Sequence, residues 1–430
     1  MLRPQALQSI GLRLGYILLS TIAGILLARA LGPSEYGRYA FAIASANILV
    51  IIVQLGLPTL LVREFAIYAA RNRWSLIRGL LRRSNQIVLL GSILVATGVA
   101  TPLLALSPTA DSKFFALLLA IPLVAFISLG NIRSASLRGL HHVFLGQLPE
   151  QLLRPLLLVL GVLTLTYIYD NHQFNANHAV LLNTAVAFVA LIIGGITLWI
   201  YLPHEVKTSA ATYETRRWTA SVLPLTFIAG LNVIHSEASL VILGAISTSN
   251  EAGHFRIAMQ GALFVSFAAP ALDMALGPKI SKLYELKELE SLQRTITWAA
   301  RFVFSFALPV FIIQVAIGKP LIQLVFGTAY SDAYPILLIL AAGKLVTTAT
   351  GSVGLILAMS SNERMMIIGS GIGVAVNVGL NLMLIPAYGA VGAAIATTLG
   401  TAAWYLALAY AVKRQTGLTS HPFAIIEKAT

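Results

Sequence analysis

Twelve stretches of 18 to 27 mostly apolar residues recur along the chain, joined by links too short to fold alone. A helical crossing of a bilayer takes about 20 such residues, because hydrocarbon roughly 30 Å thick is divided by a rise of about 1.5 Å per residue. The windows are Leu12 to Leu31, Tyr39 to Leu61, Gln86 to Leu106, Phe114 to Leu137, Leu152 to Tyr169 and His178 to Leu202. A second set runs Thr219 to Ala245, Ile257 to Leu276, Ala299 to Ile317, Tyr334 to Met359, Met365 to Ile385 and Val391 to Val412. With 57% hydrophobic and 10% charged residues, no soluble fold could bury what the chain exposes. The first window is too long for a signal-peptide core and lacks a clear Ala-x-Ala cleavage site, so it reads as a retained span.

Charge orders the spans. With the N-terminus in the cytoplasm, 19 basic residues fall on cytoplasmic links or the flanking tails and 4 on the opposite side. Those 4 are Arg38, Lys113, Arg256 and Lys319. Such a bias sets orientation and places both termini in the cytoplasm, which requires an even number of spans. It also accounts for the net charge of +13 without a nucleic-acid partner. The absence of cysteine excludes a disulfide framework and thiolate catalysis. No link is long enough for a soluble catalytic domain, and the chain is read as a non-enzyme with neither cofactor nor metal.

A local pattern occurs twice. Glu35-Tyr36-Gly37-Arg38-Tyr39 follows the first span, and 216 residues later Glu251-Ala252-Gly253-His254-Phe255 follows the seventh. Both read acid, any residue, glycine, basic, aromatic, and both open the second span of a six-span half. Six is even, so the halves share one orientation, an arrangement that recurs in transporters. The expected fold is therefore an all-α integral membrane protein of about twelve transmembrane helices, in two parallel six-helix lobes around a central cavity. The expected boundaries are residues 1–210, 211–412 and a cytoplasmic tail, 413–430.

Two glycine-rich signatures carry a family resemblance. The first is Leu31-Gly32-Pro33-Ser34-Glu35-Tyr36-Gly37-Arg38-Tyr39, followed by Gln54-Leu55-Gly56-Leu57-Pro58 and Arg63-Glu64-Phe65-Ala66. The second is the run from Leu384-Ile385-Pro386-Ala387-Tyr388-Gly389 to Ala396. With these, the chain resembles the Wzx-type polysaccharide and O-antigen flippases of the multidrug, oligosaccharidyl-lipid and polysaccharide (MOP) exporter superfamily. The resemblance implies transfer of an oligosaccharide on undecaprenyl pyrophosphate from the cytoplasmic to the external leaflet of a bacterial inner membrane. It places the chain in cell-surface polysaccharide or lipopolysaccharide assembly. The implied partners are the lipid-linked oligosaccharide, membrane lipids and glycosyltransferases of the same pathway, with a proton or sodium gradient as the candidate drive.

A diphosphate head group needs cationic partners, and charges inside spans are costly enough to be functional candidates. Lys344, about ten residues into the tenth span, is the first choice; its bland reading is an ion pair with Glu237. Arg13, Arg133, Arg154 and Arg301 near cytoplasmic span ends could form a basic vestibule, or merely snorkel. Arg29 lies near the external end of span one. Asn232, His235 and Glu237 in the seventh span are the candidate coupling groups, with Asp273 in the eighth as a second carboxylate or an arginine partner. Gln54, Asn47, Gln260, Asn377 and Asn381 could meet sugar hydroxyls or bond helix to helix. The five tryptophans are assigned to the aromatic belt.

Two other readings compete. A cation-coupled drug antiporter of the same superfamily would favour cavity carboxylates over cations. A polytopic glycosyltransferase or O-antigen polymerase would need a catalytic external loop.

Overall fold

The computed structural model describes residues 4–106, 113–168, 174–359 and 363–423. Arg3, Tyr169, Lys428 and the first half of the link from Asp170 to Asn177 lie outside these residues. Among the described residues every regular element is helical, as a bilayer demands of a chain that must satisfy its backbone internally. In order these are α1 (Pro4–Gln54), α2 (Leu57–Ala70), α3 (Trp74–Leu106), α4 (Lys113–Gly139), α5 (Val143–Leu148) and α6 (Arg154–Ile168). They continue with α7 (Ala176–Tyr201), α8 (His204–Thr208), α9 (Thr215–Ile246), α10 (Ser249–Leu263) and α11 (Ala268–Glu285). The last four are α12 (Leu289–Phe326), α13 (Ala333–Ala349), α14 (Val353–Met359) and α15 (Glu363–Thr416).

Eight helices among the described residues are long and apolar enough to cross a membrane, and the bent pair α13 and α14 makes a ninth pass. Two of the eight are double. Helices of 51 and 54 residues would measure about 77 and 81 Å if straight, far beyond one bilayer. Each is interrupted at one non-helical glycine, Gly32 (φ 70°) in α1 and Gly389 (φ 52°) in α15. Positive φ is cheap only for glycine, and Pro33 then starts the next helix with its φ already fixed. The eighth apolar window, Ile257 to Leu276, falls on the run from α10 to α11, joined through a short 3₁₀ turn.

Three details depart from the sequence reading. The fifth span begins earlier, at α5, and continues through a π-helical turn over Pro149–Leu153 into α6. The tenth span is broken at Gly351 (φ 70°) and bends by 42°. Finally, residues 417–423 of the expected tail pack back on the second unit. Leu418 is buried in an apolar cluster with Val353, Leu357 and Leu408, and Gln293 bonds both the carbonyl (2.6 Å) and the amide (2.9 Å) of Thr419.

The chain forms two compact units, Met1–Val233 and Ile234–Thr430, divided inside α9 rather than at residue 210. The first turns of α9 belong to the first unit for a visible reason. Thr226 accepts a hydrogen bond from the Gly56 amide at 2.8 Å, and Trp218 Nε1 donates to the Tyr68 hydroxyl at 3.0 Å. A Cβ at position 56 would lie 2.5 Å from that of Leu225, so only glycine permits this approach.

Within the first unit α4 is the hub, packed against α1, α2, α3 and α7. Small residues share its buried face: Ala120, Ser128, Ala135 and Ser136 are fully buried alongside Leu123 and Ile132. Lipid gives no hydrophobic drive for helices to associate, so close backbone approach through small residues has to supply the contact. In the second unit α13 is the hub, packed against α10, α12 and α15, with Ala333 and Ala341 fully buried. Large apolar side chains such as Leu94, Ile168, Ile200 and Met383 stay exposed, as expected of surfaces that face acyl chains.

Candidate functional site

Lys344 stands near the middle of the bent pass formed by α13 and α14, half-buried in the second unit. The backbone around it is held close to α15. A Cβ at Gly343 would lie 2.8 Å from Thr398 Oγ1, and that hydroxyl donates to the Ile339 carbonyl at 3.0 Å. His235 of α9 lies within electrostatic reach of the ammonium. Its Nε2 is 3.1 Å from Thr401 Oγ1, and its ring meets Trp404 edge-on with centroids 4.8 Å apart. His235, Thr401 and Trp404 thus form one polar and aromatic group from α9 and α15, with Lys344 of α13 within electrostatic reach of the histidine.

The alternative reading of Lys344, an ion pair with Glu237, is not what the described residues form. Glu237 Oε2 lies 3.6 Å from Arg256 Nη1, so a residue first placed on the external link carries that role. Among the described residues no carboxylate forms an ion pair with Lys344. Asp273 takes the hydroxyl of Ser352 at the α13–α14 break instead of an arginine. Arg301 donates from Nε to the Pro422 carbonyl at 2.9 Å, which ties α12 to the segment after α15.

The basic residues of the first unit do not converge into one vestibule. Arg154 pairs with Glu150 at 3.5 Å and donates to Asn183 Oδ1 at 3.1 Å, while Asn183 donates to the Tyr39 hydroxyl at 2.9 Å. That chain joins α6, α7 and α1 inside the unit and serves its packing. Arg13 and Arg29 are exposed on α1, and Asn232 is exposed on α9 with its amide donating to the Ile228 carbonyl. Arg133 lies elsewhere, in a pocket of 360 Å³ between α3, α4, α7 and α8. Asn377 and Asn381 are fully buried around Ser239, which settles them as helix-to-helix bonds. Gln54 accepts from Asn131 at 2.9 Å.

Sequence reading missed a polar lock at the basic end of the first unit. Glu64 is 2% exposed and meets Arg63 at 3.0 Å and Arg217 at 3.4 Å. Arg217 also reaches Glu214 at 3.1 Å, and Tyr68 donates to Glu214 at 3.2 Å while accepting from Trp218. Burial pushes the Tyr68 phenol above its ordinary value, and Glu64 and Glu214 add to that against the opposing Trp218 bond. The phenol therefore keeps its proton and can donate and accept at once. Glu64 likewise raises the Arg217 guanidinium. Trp218, only 3% exposed, belongs to this lock and not to the aromatic belt.

With this geometry in hand, known proteins offer three comparisons. A family model described as polysaccharide biosynthesis protein matches residues 9–284. A protein of Haloferax volcanii, described as a probable low-salt glycan biosynthesis flippase, is 24% identical over 168 residues, or 39% of this chain. The match spans only 36% of that relative's length. Among solved structures, an inward-facing multidrug resistance MATE transporter of the MOP superfamily superposes with a TM-score of 0.75. It is 13% identical, with 93% of this chain and 96% of the other covered. The lipid II flippase MurJ in an inward closed conformation gives 0.71 at 15% identity, covering 95% and 87%. At such identities the likeness is one of fold.

Proposed function

Since the chain belongs to the polysaccharide biosynthesis protein family, we propose that it is a flippase for a lipid-linked oligosaccharide. In this reading the substrate is an oligosaccharide on undecaprenyl pyrophosphate, moved from the cytoplasmic to the external leaflet by alternating access. The membrane is the bacterial inner membrane, and both termini face the cytoplasm, in keeping with the 19 to 4 division of basic residues.

The observation that carries the proposal is Lys344. A cation halfway along a membrane pass, with no ion-paired carboxylate among the described residues, is expensive unless an anion visits it. A diphosphate answers that need, and the hydroxyl and aromatic ring that meet neighbouring His235 suit a sugar phosphate better than an aliphatic drug. Sugar and diphosphate cannot cross hydrocarbon unaided, because each unsatisfied polar group costs several kcal/mol. The same point weighs against a cation antiporter: Glu237, the natural carboxylate for a cationic substrate, already faces Arg256.

Reconstitution into proteoliposomes with a fluorescent undecaprenyl pyrophosphate oligosaccharide tests the reading. Head groups should become accessible to an external quencher faster than in protein-free vesicles, with or without an imposed proton or sodium gradient. No excess accessibility under any gradient overturns it.

A further inference from the structure

The pocket around Arg133 is built differently from the surroundings of Lys344. Arg78 and Arg82 of α3, Arg133 of α4 and Lys207 of α8 line its 360 Å³, and no acidic residue does. None of the four forms an ion pair among the described residues. Their known partners are neutral: Arg78 donates to the Ser209 carbonyl, Arg133 to the Leu129 carbonyl at 3.0 Å, and Lys207 lies over the Trp199 ring at 5.1 Å. Four cations gathered without a counter-ion repel one another, and a bound anion is the ordinary remedy.

The fold keeps Arg133 open to such an anion. Gly195 passes over its guanidinium, and a Cβ there would lie 3.2 Å from Nε. Most of the guanidinium's five donors are left for a ligand, in the fork geometry that suits phosphate.

The remaining walls say what carries the anion. Leu81, Leu198, Leu202 and Val206 line the pocket, and the same helix α7 exposes Ile196, Trp199 and Ile200 beside it. Trp199 is 67% exposed, as an interfacial tryptophan would be. Arg133 stands six residues before the end of α4, about 9 Å from that helix terminus. Cations at that depth, beside an aromatic ring and an acyl-facing surface, match the level of lipid phosphates, and basic pockets between spanning helices bind anionic head groups.

We infer that this pocket is a binding site for the phosphate head group of a membrane-anchored lipid, separate from the Lys344 group. The lipid's phosphate sits among Arg78, Arg82, Arg133 and Lys207, and its acyl chains lie along α7. A glycerophospholipid such as cardiolipin and a polyprenyl phosphate share this chemistry.

Native mass spectrometry of the delipidated full-length protein separates the sources, using cardiolipin, undecaprenyl phosphate, phosphatidylcholine and inorganic phosphate as separate probes. Retention of cardiolipin or undecaprenyl phosphate at least tenfold above phosphatidylcholine is expected, and the stronger of the two identifies the source. Arg133→Gln should weaken that retention about tenfold. Should this variant fold poorly, Arg82→Gln with Lys207→Gln serves instead, since among the described residues neither side chain forms a hydrogen bond or ion pair, and Lys207 only lies over the Trp199 ring. Unchanged retention in both variants, or binding of inorganic phosphate as tight as that of either lipid, overturns the site. Lys344→Ala should leave cardiolipin retention unchanged whatever it does to transport, so failure of the transport proposal and failure of this one are distinguishable.

Discussion

The two compact units solve one structural problem alike and a second one differently. In the first, Glu35 follows the Gly32 break and its Oε2 accepts from the Ala176 amide at 2.9 Å, where α7 begins. In the second, Glu251 occupies the matching position 216 residues on, and its carboxylate packs against Gly389, where the second arm of α15 begins. Each acid thus sits at the N-terminus of the last pass of its half, where exposed amides and the helix dipole favour a negative charge. The interiors part company. An arginine network of the first unit joins Arg154 with Glu150, Asn183 and Tyr39, whereas among the described residues Lys344 in the second forms no ion pair. A device that holds the fold is repeated, while the mid-pass cation proposed to meet the transported head group belongs to the second unit.

Paired substitutions exploit that contrast most sharply. Lys344→Ala should cut transport at least tenfold in the reconstituted assay while shifting thermal unfolding little, because a cation without a pair is lost at small structural cost. Arg154→Ala should do the reverse to the protein: it strands Glu150 inside the unit and costs about 3 kcal/mol, read as earlier unfolding in detergent. Equal damage to stability from both variants would erase the distinction between a ligand charge and a packing charge.

Ser239 tests whether the second unit also has interior glue of its own. Its hydroxyl meets Asn377 at 3.1 Å, Asn381 at 2.9 Å and Thr397 at 2.7 Å, all in α15. Ser239→Ala leaves two buried amides short of a partner and should cost about 1–2 kcal/mol in unfolding experiments, with transport retained at permissive temperature.

Which features were legible in the sequence follows from what each depends on. Span number came through because apolar length is a local property, and the glycine breaks came through because Gly32-Pro33 and Gly389 announce themselves. The break at Gly351 did not: a lone glycine in an apolar run reads as tolerated, and the cause is tertiary, since Ser420, 69 residues away, lies against Gly351 and its hydroxyl donates to the Thr350 carbonyl. Partner choice was the least legible. Glu237 and Lys344 look like a pair by depth, yet Arg256 reaches Glu237 from α10. The lock of Glu64 with Arg217 joins residues 153 positions apart on what read as two separate basic links. The resemblance motif Arg63-Glu64-Phe65-Ala66 did point there, and the buried acid among exposed arginines is its physical content. Gly195, which leaves Arg133 uncovered, gave no signal because its neighbour lies on another helix.

The smallest expected effect bears on the shared device. Glu35→Ala removes the acceptor for the Ala176 amide, but Asn175 still caps the same helix by accepting from the His178 amide at 3.2 Å. The loss should therefore stay near 1 kcal/mol, within the range of a helix N-cap. Glu251→Ala should cost a similar amount, because its carboxylate stands at the start of a helix whose break at Gly389 has no side chain of its own to offer. Glu35→Gln should recover most of the loss, since an amide oxygen still accepts, and what it fails to recover measures the charge–dipole part together with the ion pair to Arg38 at 2.9 Å. Similar costs in both units, read from thermal unfolding, would mean that the duplicated acid has kept one task; a cost confined to one unit would mean that the halves have diverged here too.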